Sequence, residues 1–400
     1  MGGFNGTPFT RLQTWWRHMP EFTAWLARCE DFLEAGVPAQ DVLWYLGDAV
    51  DHKPDEDYPF PEGFRADYLN HDVLTNRLTV SDGLFTVPEG ASWKVLWVPD
   101  GLFMLPATRA ALDRLAAAGG KVAFGGRDEL VKALAQLERD VATEPPLGDE
   151  PSEDFMWLHR RVDGQDRYFV AAGTNGWRGR VTFRAKGDVS VFDPVSQRRT
   201  AWRNGDMLEI PPSRSVFVEF GVAGRVEGGP PRRESGLPAS SRELTGWTLT
   251  FPPGWGAPEK VALERPVPWT EIPGLSREAH AFSGTATYET TFDCRDARGG
   301  VELDLGRVES VAKVFVNGSL AGTLWCEPYR CRLDGFVRSG ANSLRIEVTS
   351  TWRNRVIYDL GQPQEARKTW MLYRPRFNPG PDDAFRPSGI IGPVLKVESR

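Results

Sequence analysis

The sequence predicts a multidomain chain in which an α/β domain is followed by two all-β domains. Strand and helix patterns alternate over residues 20–143, whereas residues 155–221 and 242–400 are typical of strands and turns alone. Two segments rich in Pro, Gly and charged residues, 143–154 and 224–241, separate these regions. A length of 400 residues fits two or three domains. We therefore predict a doubly wound α/β domain, a small antiparallel β domain and a jelly-roll β-sandwich, in that order.

The first region has the pattern of a parallel sheet flanked by helices. Residues 20–35 carry apolar side chains at helical spacing, with Pro20 in the first turn and Gly36 just past the end. The apolar runs 41–47 and 93–100 are typical of strands buried on both faces. The other predicted elements of this region are helices at 67–76, 106–118 and 127–141, a hairpin at 78–87 and a strand at 121–126.

The two later regions have the alternation of antiparallel sheets. In the last region Val301, Leu303 and Leu305 alternate with acids, which predicts a strand with one buried face. Asn317-Gly318 separates two such runs, as in a type I′ hairpin turn that needs positive φ at both central residues. The predicted strands of the middle region are 166–173, 179–187, 190–194 and 214–221.

Composition limits the classes of partner. A net charge of −6 argues against a nucleic-acid partner, and no apolar run approaches the roughly 20 residues that span a bilayer. The N-terminal residues lack the features of a signal peptide, so we expect a cytoplasmic protein if Met1 is the true start and an exported one otherwise. The four cysteines form no C-x-x-C pair, which favours buried thiols, with a Cys326–Cys331 bridge as the alternative.

Catalytic and metal motifs are absent from the sequence. Glycoside hydrolysis needs two carboxylates about 5–10 Å apart, and no pair among the 54 acids is distinguished by spacing or setting. The five histidines have no metal-binding spacing, and no acid cluster has a defined order of Ca²⁺ ligands. Gly125-Gly126 between a strand and a helix favours a structural turn over an anion cradle. We predict no catalytic residue, no metal and no cofactor, with Ca²⁺ unsupported by any motif.

One cluster of polar and aromatic residues is a candidate carbohydrate site. A flat aromatic ring provides a stacking face for a sugar, while amide and guanidinium groups bond its hydroxyls. The candidate residues are Trp325, Tyr329, Trp352, Asn354, Arg355 and Asp359. The alternative interpretation is that Arg355 pairs with Asp359, four residues away, and braces a loop. The chain has fifteen tryptophans, and for any one of them core packing is the favoured role over contact with a ligand.

Several motifs in the last region occur together in one known family. They are aromatic residues at a strand entry (Tyr288, Phe292), LDLG at 303–306, VNG at 316–318, Trp325-x-x-Pro328-Tyr329, TWRNR at 351–355 and PSGIIGPV at 387–394. Together they resemble the sugar-binding, galactose-binding-like jelly roll of family 2-type glycoside hydrolases. The similarity is strongest to the version in the C-terminal part of α-L-rhamnosidases of glycoside hydrolase family 106.

The two earlier regions of the chain also resemble this family. The similar segments are QTWW at 13–16, the helix at 22–36, PEGFRADYLNHDVL at 61–74, YFVAAG at 168–173 and FDP at 192–194. The α/β region resembles flavodoxin- and amidotransferase-like folds, which use a Cys nucleophile at a strand-to-helix turn. The corresponding turn here, Pro99-Asp100-Gly101, has none, so we expect a catalytically silent domain.

The resemblance has a consequence for catalysis. The family's catalytic carboxylates lie on a barrel that precedes these segments, and such a barrel needs roughly 250 residues. Only about 18 residues precede the first predicted helix, so residues 1–19 are expected to be the end of that barrel. The resemblance implies that Asn5, Arg11, Gln13, Trp15 and Trp16 line a substrate cleft. An interdomain plug is the alternative role for this cluster.

The leading hypothesis from sequence is an accessory, carbohydrate-binding part of an α-L-rhamnosidase-like hydrolase. Its expected partners are an oligosaccharide or polysaccharide and an upstream catalytic barrel, with no nucleic acid and no membrane. Two rival hypotheses stay open. One is a stand-alone carbohydrate-binding or adhesion module, and the other is an active hydrolase with a site of its own between domains. The sugar, the linkage and the oligomeric state do not follow from the sequence.

Overall fold

A computed structural model describes residues 10–49, 60–146, 154–221, 240–297, 300–369 and 379–398. Internal contacts divide the chain into two compact units. The central unit is Ala27–Arg233, and the C-terminal unit joins Met1–Leu26 to Glu234–Arg400. Strands predominate over helices in several separate sheets, which confirms a multidomain, β-rich architecture. The finer domain types, amidotransferase-like and jelly-roll, stay predictions, as do the predicted boundaries.

The first half of the described chain contains four helices and nine strands. A 3-10 helix at Thr14–His18 leads into α1 (Met19–Glu34), which contains the boundary between the units. The other helices are α2 (His71–Asn76), α3 (Pro106–Ala117) and α4 (Arg127–Leu134). The strands are β1 (Val37–Pro38), β2 (Val42–Tyr45), β3 (Ala66–Leu69), β4 (Thr79–Ser81), β5 (Leu84–Thr86), β6 (Ser92–Trp93), β7 (Val95–Val98), β8 (Val122–Phe124) and β9 (Val141–Glu144).

A four-stranded parallel sheet forms the centre of this α/β part. Its order is β3-β2-β7-β8, and every residue of β2 and β7 is buried, as expected for strands covered on both faces. Strands β4, β5 and β6 form a small antiparallel sheet beside it, with Phe85 in its core. The parallel strands that the continuous apolar runs predicted are therefore present.

Two predicted helices were wrong in extent. Residues 67–76 do not form one helix, because Asp67 to Leu69 pair in parallel with Leu43 to Tyr45 of β2. Asn70 then starts the short helix α2 by accepting a hydrogen bond at Oδ1 from the backbone N–H of Val73 (3.0 Å). The helix predicted to reach residue 141 ends at Leu134 instead.

The second half of the central unit consists of two antiparallel sheets around one aromatic core. Its strands are β10 (Met156–Val162), β11 (Gln165–Ala171), β12 (Trp177–Phe183), β13 (Val189–Asp193), β14 (Arg198–Trp202), β15 (Met207–Ile210) and β16 (Ser215–Phe220). The sheet orders are β1-β10-β11-β16-β13-β14 and β15-β12-β9. Strands β1 and β9, which precede residue 155, complete these sheets. Trp157, Tyr168, Phe183 and Phe220 lie in the core.

A buried polar network crosses this core. His159 is 2% exposed and lies between two carboxylates, with Nδ1 at 2.7 Å from Asp140 Oδ2 and Nε2 at 3.0 Å from Asp166 Oδ1. Asp140 also accepts a hydrogen bond from the Tyr168 hydroxyl (2.7 Å). Burial alone would lower the pKa of His159, but the bonds to Asp140 and Asp166 outweigh it and raise the pKa above the ordinary 6.5.

We expect His159 to make the stability of the central unit depend on pH. Because its folded-state pKa is raised, its stabilising contribution is complete below about pH 6.5 and is lost as the pH rises through the folded-state value. The melting temperature of the protein should therefore exceed that of a His159→Gln variant most at pH 6, and the difference should shrink by pH 9. If the difference in melting temperature between the two proteins stayed the same from pH 6 to pH 9, this role of His159 would be contradicted. His280→Gln is the control, because the His280 ring bonds a backbone carbonyl rather than a carboxylate.

The C-terminal unit has two main antiparallel sheets that enclose a single core. Its helices are α5 (Arg277–His280) and α6 (Arg353–Leu360), with 3-10 helices at Trp269–Glu271 and Gln364–Ala366. The strands are β17 (Ser240–Glu243), β18 (Trp247–Thr250), β19 (Lys260–Leu263), β20 (Thr285–Cys294), β21 (Val301–Asp304), β22 (Arg307–Glu309), β23 (Val311–Val316), β24 (Ser319–Leu324), β25 (Arg330–Arg332), β26 (Gly340–Thr349), β27 (Gly389–Ile391) and β28 (Leu395–Glu398). The main sheets have the orders β17-β28-β21-β25 and β19-β18-β20-β26-β23-β24, and β22 pairs with β27.

The predicted hairpin and the predicted buried faces are present in this unit. Asn317 and Gly318 have φ values of 51° and 85° between the paired strands β23 and β24, as the Asn-Gly pattern indicated. Leu303 of one main sheet and Ile346 of the other lie in the same core. None of the four cysteines, all of which lie in the described ranges, forms a disulfide, and all but the half-buried Cys326 are buried. No helix among the described residues is long and apolar enough to cross a membrane.

Gly389 shows why the PSGIIGPV segment needs a glycine. It has φ +88°, and a Cβ at this position would lie 2.5 Å from Trp269 Nε1 and 2.7 Å from the Tyr288 hydroxyl. Those two groups form a buried hydrogen bond of 2.7 Å, and the Ile390 N–H donates to the same hydroxyl. The backbone of β27 therefore packs directly on a polar pair within the core.

We predict that Gly389→Ala destabilises the C-terminal unit by about 2–4 kcal/mol, because it adds a core overlap to an unfavourable φ. Gly246→Ala is the matched control. Gly246 has φ +72° but open space around its Cβ position, so only the cost of the backbone conformation, about 1–2 kcal/mol, should appear. Denaturant unfolding measures both. Equal losses for the two variants would show that the overlap at Gly389 is relieved.

Candidate functional site

Hydrogen bonds attach the N-terminal segment to the region of Trp352 within the C-terminal unit. The indole N–H of Trp352 donates to the carbonyl of Leu12 at 2.7 Å, and the Thr14 hydroxyl donates to the carbonyl of Ser350. Trp352 immediately precedes α6, whereas Leu12 and Thr14 belong to the N-terminal segment. Residues about 340 positions apart in sequence therefore form one continuous surface.

Trp325 and Tyr329 are packed into the unit. Trp325 is half-buried and contacts Phe22 and Trp25 edge-on, with ring centroids 5.5 and 5.2 Å apart. Tyr329 is 7% exposed, and its hydroxyl donates to the carbonyl of Ser310 at 3.1 Å. Burial raises the pKa of Tyr329, so its phenol stays neutral. These contacts give both residues a packing role.

Asn354, Arg355 and Asp359 lie on α6 and are buried. The Asn354 amide exchanges two hydrogen bonds with the backbone of Arg386, donating at 2.7 Å and accepting at 3.0 Å. Arg355, only 1% exposed, lies 2.9 Å from Asp359 Oδ1 and 3.1 Å from Glu278 Oε1. Asp359 Oδ2 accepts bonds from the backbone of Lys368 and Thr369. The ion pair of the bracing alternative is therefore present.

Three further residues, which the sequence analysis missed, complete the cluster. The ring of Trp255 lies 5.5 Å from that of Trp352, and the Arg355 guanidinium lies 5.5 Å from the Trp255 centroid. Lys368 Nζ bonds Glu278 Oε1 at 3.0 Å and lies 5.9 Å from the Trp255 centroid. We call Trp255 and Trp352 the tryptophan pair, and Glu278, Arg355, Asp359 and Lys368 the charged network.

A local signal for Trp255 exists in the sequence. It stands between Gly254 and Gly256, which have φ values of +87° and +79°. A Cβ on Gly256 would lie 2.4 Å from the carboxyl carbon of Glu278, so a glycine is needed for this loop to reach the charged network. A half-exposed tryptophan between two loop glycines is the pattern that could have identified the residue.

The electrostatics of the network do not suit Glu278 to act as a general acid. Hydrogen bonds from Lys368 and Arg355 outweigh the effect of burial and lower the pKa of Glu278 below its ordinary value. A general acid in glycoside hydrolysis needs a raised pKa so that it keeps a proton at neutral pH. Glu278 is therefore held as a carboxylate between two cations.

The N-terminal cluster is only partly in contact with this surface. Asn5 lies outside the described residues. Gln13 is buried, Trp15 is half-buried, and Arg11 and Trp16 are exposed. Leu12 and Thr14, which were not among the candidates, make the described hydrogen bonds to the region of Trp352. A cleft-lining role for Asn5, Arg11, Gln13, Trp15 and Trp16 stays a prediction.

The crevice at which doubly wound sheets usually bind ligands is closed in the central unit. Strand order reverses between β2 and β7, and ligands bind beyond the carboxyl ends of such strands. Here the Leu102 side chain lies 3.4 Å from the position of a Cβ on Gly47, and the N–H of Asp48 donates to the carbonyl of Phe103 at 3.0 Å. The loops after β2 and β7 are therefore bonded to each other.

Asp48 fixes this closed edge. Burial would raise its pKa, but hydrogen bonds from Tyr45, the Leu105 N–H, Thr108 and His71 outweigh that effect and lower the pKa to about 2. Thr108 donates at 2.7 Å, and His71 Nδ1 lies 2.8 Å away. The Asp48 carboxylate therefore accepts hydrogen bonds from residues of β2, α2 and α3, and it connects these elements at the edge of the sheet.

Two other sequence candidates have structural explanations. A Cβ on Gly125 or Gly126 would lie 3.9 Å from an Asp100 carboxylate oxygen, so an acid already faces the start of α4, as a structural turn would require. Across the described ranges, no three His, Cys, Asp or Glu side chains are grouped as they would be around a metal ion.

Comparison with known proteins identifies the family relationship. Residues 1–141 match the model of a glycoside hydrolase family described as alpha-L-rhamnosidase. A solved rhamnosidase from Novosphingobium sp. PP1Y aligns with 98% of this chain and 42% of its own, with a TM-score of 0.79 and 23% identity. The predicted relationship to α-L-rhamnosidases of family 106 is confirmed. At this identity the solved structure establishes the common fold.

A second similar protein is named as a glucuronidase rather than a rhamnosidase. The chain is 30% identical over 173 residues to a putative beta-glucuronidase of Formosa agariphila, an alignment that covers 37% of this chain and 15% of that protein. The chain therefore spans a small part of this relative and less than half of the solved rhamnosidase. Both are glycoside hydrolases by name.

We predict that Arg355→Met lowers the free energy of unfolding of the C-terminal unit by about 3–5 kcal/mol, because Asp359 and Glu278 would lose their shared cation. Arg307→Met is the matched control. Its partner Glu309 lies 3.6 Å away and both side chains are substantially exposed, so the loss should stay below about 1 kcal/mol. Denaturant unfolding compares the two variants. A loss for Arg355→Met as small as that of the control would show that the network is not a structural brace.

Proposed function

We propose that this chain is a non-catalytic, carbohydrate-binding part of an α-L-rhamnosidase-like glycoside hydrolase. Its substrates would be α-L-rhamnosides or related plant or bacterial polysaccharides. The observation that carries the proposal is the half-exposed tryptophan pair beside the charged network in the C-terminal unit. The relationship to rhamnosidases supports a glycan as the ligand.

The tryptophan pair offers the apolar part of such a site. Trp255 and Trp352 meet at an interplanar angle of 42°, so they form an angled wall rather than a flat stack. The C–H face of a sugar ring can lie against half-exposed indole surface. Lys368, whose side chain is 37% exposed, supplies a donor for hydroxyl oxygens at the edge of the wall.

Three observations support a role without bond cleavage. The described residues contain no eight-stranded barrel, since their one parallel sheet has four strands. The network carboxylates Glu278 and Asp359 share Arg355, and Glu278 is held ionised. The crevice of the α/β sheet is closed by Leu102 and Asp48. We therefore assign hydrolysis to a barrel outside the described residues.

The finer domain types fit the same proposal. An amidotransferase-like fold for residues 20–143 is supported by the four parallel strands with helices between them. A galactose-binding-like jelly roll for 242–400 is supported by the two antiparallel sheets around one core. A small β domain would then lie between them, over 155–221, with added strands from β1 and β9.

Titration calorimetry with rhamnose-containing oligosaccharides tests the binding function. We expect Trp352→Ala and Trp255→Ala each to weaken binding by about tenfold, the effect of losing about 1.4 kcal/mol of stacking. Phe103→Ala is the control, because it removes an aromatic side chain, 62% exposed, from the central unit. Unchanged affinity in both tryptophan variants would remove this site from the proposal.

A second assay tests the absence of catalysis. The purified chain should release no nitrophenol from nitrophenyl α-L-rhamnoside, because Glu278, the acid beside the tryptophan pair, is held ionised and has no proton to give the leaving group. Turnover that survives Glu278→Gln would point to a catalytic site elsewhere in the chain. Turnover that Glu278→Gln abolishes would make the charged network an active site. Either result would overturn the non-catalytic assignment.

A further inference from the structure

The N-terminal segment, residues 10–26, is attached to the C-terminal unit by a series of polar and aromatic contacts. Beyond the bonds at Leu12 and Thr14, Glu21 Oε1 accepts a hydrogen bond from the Thr323 hydroxyl at 3.1 Å and lies 3.8 Å from Lys313 Nζ. Phe22 and Trp25 pack against Trp325 one turn later. The segment thus lies against β23, β24 and the residues after β26.

His18 is the titratable group enclosed by these contacts. It is 9% exposed and ends the 3-10 helix that precedes α1. Its Nε2 lies 3.0 Å from Thr349 Oγ1, which lies 2.8 Å from Thr285 Oγ1. Its Nδ1 has no hydrogen-bond partner among the described residues. A protonated ring would donate from both nitrogens, but among the described residues only the Thr349 hydroxyl bonds to it.

The charges around His18 come from its own segment and from two strands. Arg17 and Glu21 belong to its own segment, whereas Lys313 and Glu347 belong to β23 and β26. Burial is the largest influence, and with the cations of Lys313 and Arg17 it outweighs the carboxylates of Glu21 and Glu347. The pKa of His18 is therefore lowered below its ordinary 6.5.

We propose that residues 10–26 form an acid-sensitive latch, docked on the sheet while His18 is neutral and loosened when His18 takes up a proton. The released state exposes the ring to water, where both nitrogens can donate. The docked state disfavours protonation of His18. The docked segment therefore has its full stability above about pH 6.5 and loses stability as the pH falls below that value. The latch requires no sugar, so it stands apart from the carbohydrate-binding proposal.

Hydrogen exchange of the whole chain tests the latch. Protection factors, which are intrinsic exchange rates divided by the observed rates at the same pH, are measured for peptides within 12–26 between pH 7.5 and 5.0. We expect protection of these peptides to fall at least about threefold, while peptides from β20 and β26 retain theirs. Constant protection across this range would overturn the proposal.

Matched variants test whether the loss of protection at low pH comes from the His18 ring. His18→Gln keeps an amide that can bond Thr349 but cannot titrate, so the decline in protection should disappear. His280→Gln, in the same unit, should retain it, because the His280 ring bonds only the Ile272 carbonyl in the structure. A decline that persists in His18→Gln would assign the pH dependence to another group and overturn the proposal.

A second variant covers the case in which His18→Gln does not fold. Lys313→Met removes a cation that opposes protonation of His18, so the midpoint of the decline should move to higher pH. A midpoint that stays in place or moves to lower pH would contradict the latch. Arg345→Met is the control for losing a cation from the same sheet, since Arg345 contacts Glu347 and the Phe315 ring rather than His18.

Discussion

The candidate site depends on one buried guanidinium. Arg355 is almost completely enclosed, yet it joins Asp359 on its own helix to Glu278 on α5. An ion taken out of water is tolerated only when its partners and hydrogen bonds compensate for the lost solvation. The loop that carries Trp255 packs over this group, and Lys368 completes the charge balance. The half-exposed tryptophan pair therefore lies against a network of charged side chains centred on the buried Arg355.

That arrangement separates binding from catalysis in physical terms. Hydrolysis of a glycosidic bond requires one carboxyl group that keeps its proton, whereas cations hold Glu278 in the ionised form. The same cations connect the loop of Trp255 to α5, since Lys368 donates to both the Gly254 carbonyl and Glu278. In the central unit, too, a carboxylate is held in its ionised form by hydrogen-bond donors. Asp48 is fixed by four donors and closes the edge where related sheet topologies admit ligands.

Local patterns predicted much of the fold because they depend on neighbouring residues alone. The Asn317-Gly318 turn and the strands of alternating hydrophobicity were correct, since turn geometry and the period of two are local properties. The helix expected over 67–76 was wrong because parallel pairing with β2 overrode its local propensity. The Arg355–Asp359 pair was foreseen as an alternative because four residues span one helical turn.

The sequence by itself determined the β-rich, multidomain class, the hairpin positions and the relationship to α-L-rhamnosidases. Only the tertiary structure decided which side chains meet. Trp255, Glu278 and Lys368 join Arg355 from separate loops and helices, and Leu12 reaches Trp352 from the other end of the chain. No periodicity connects such distant positions, because their proximity follows from how the sheets and loops pack rather than from local geometry.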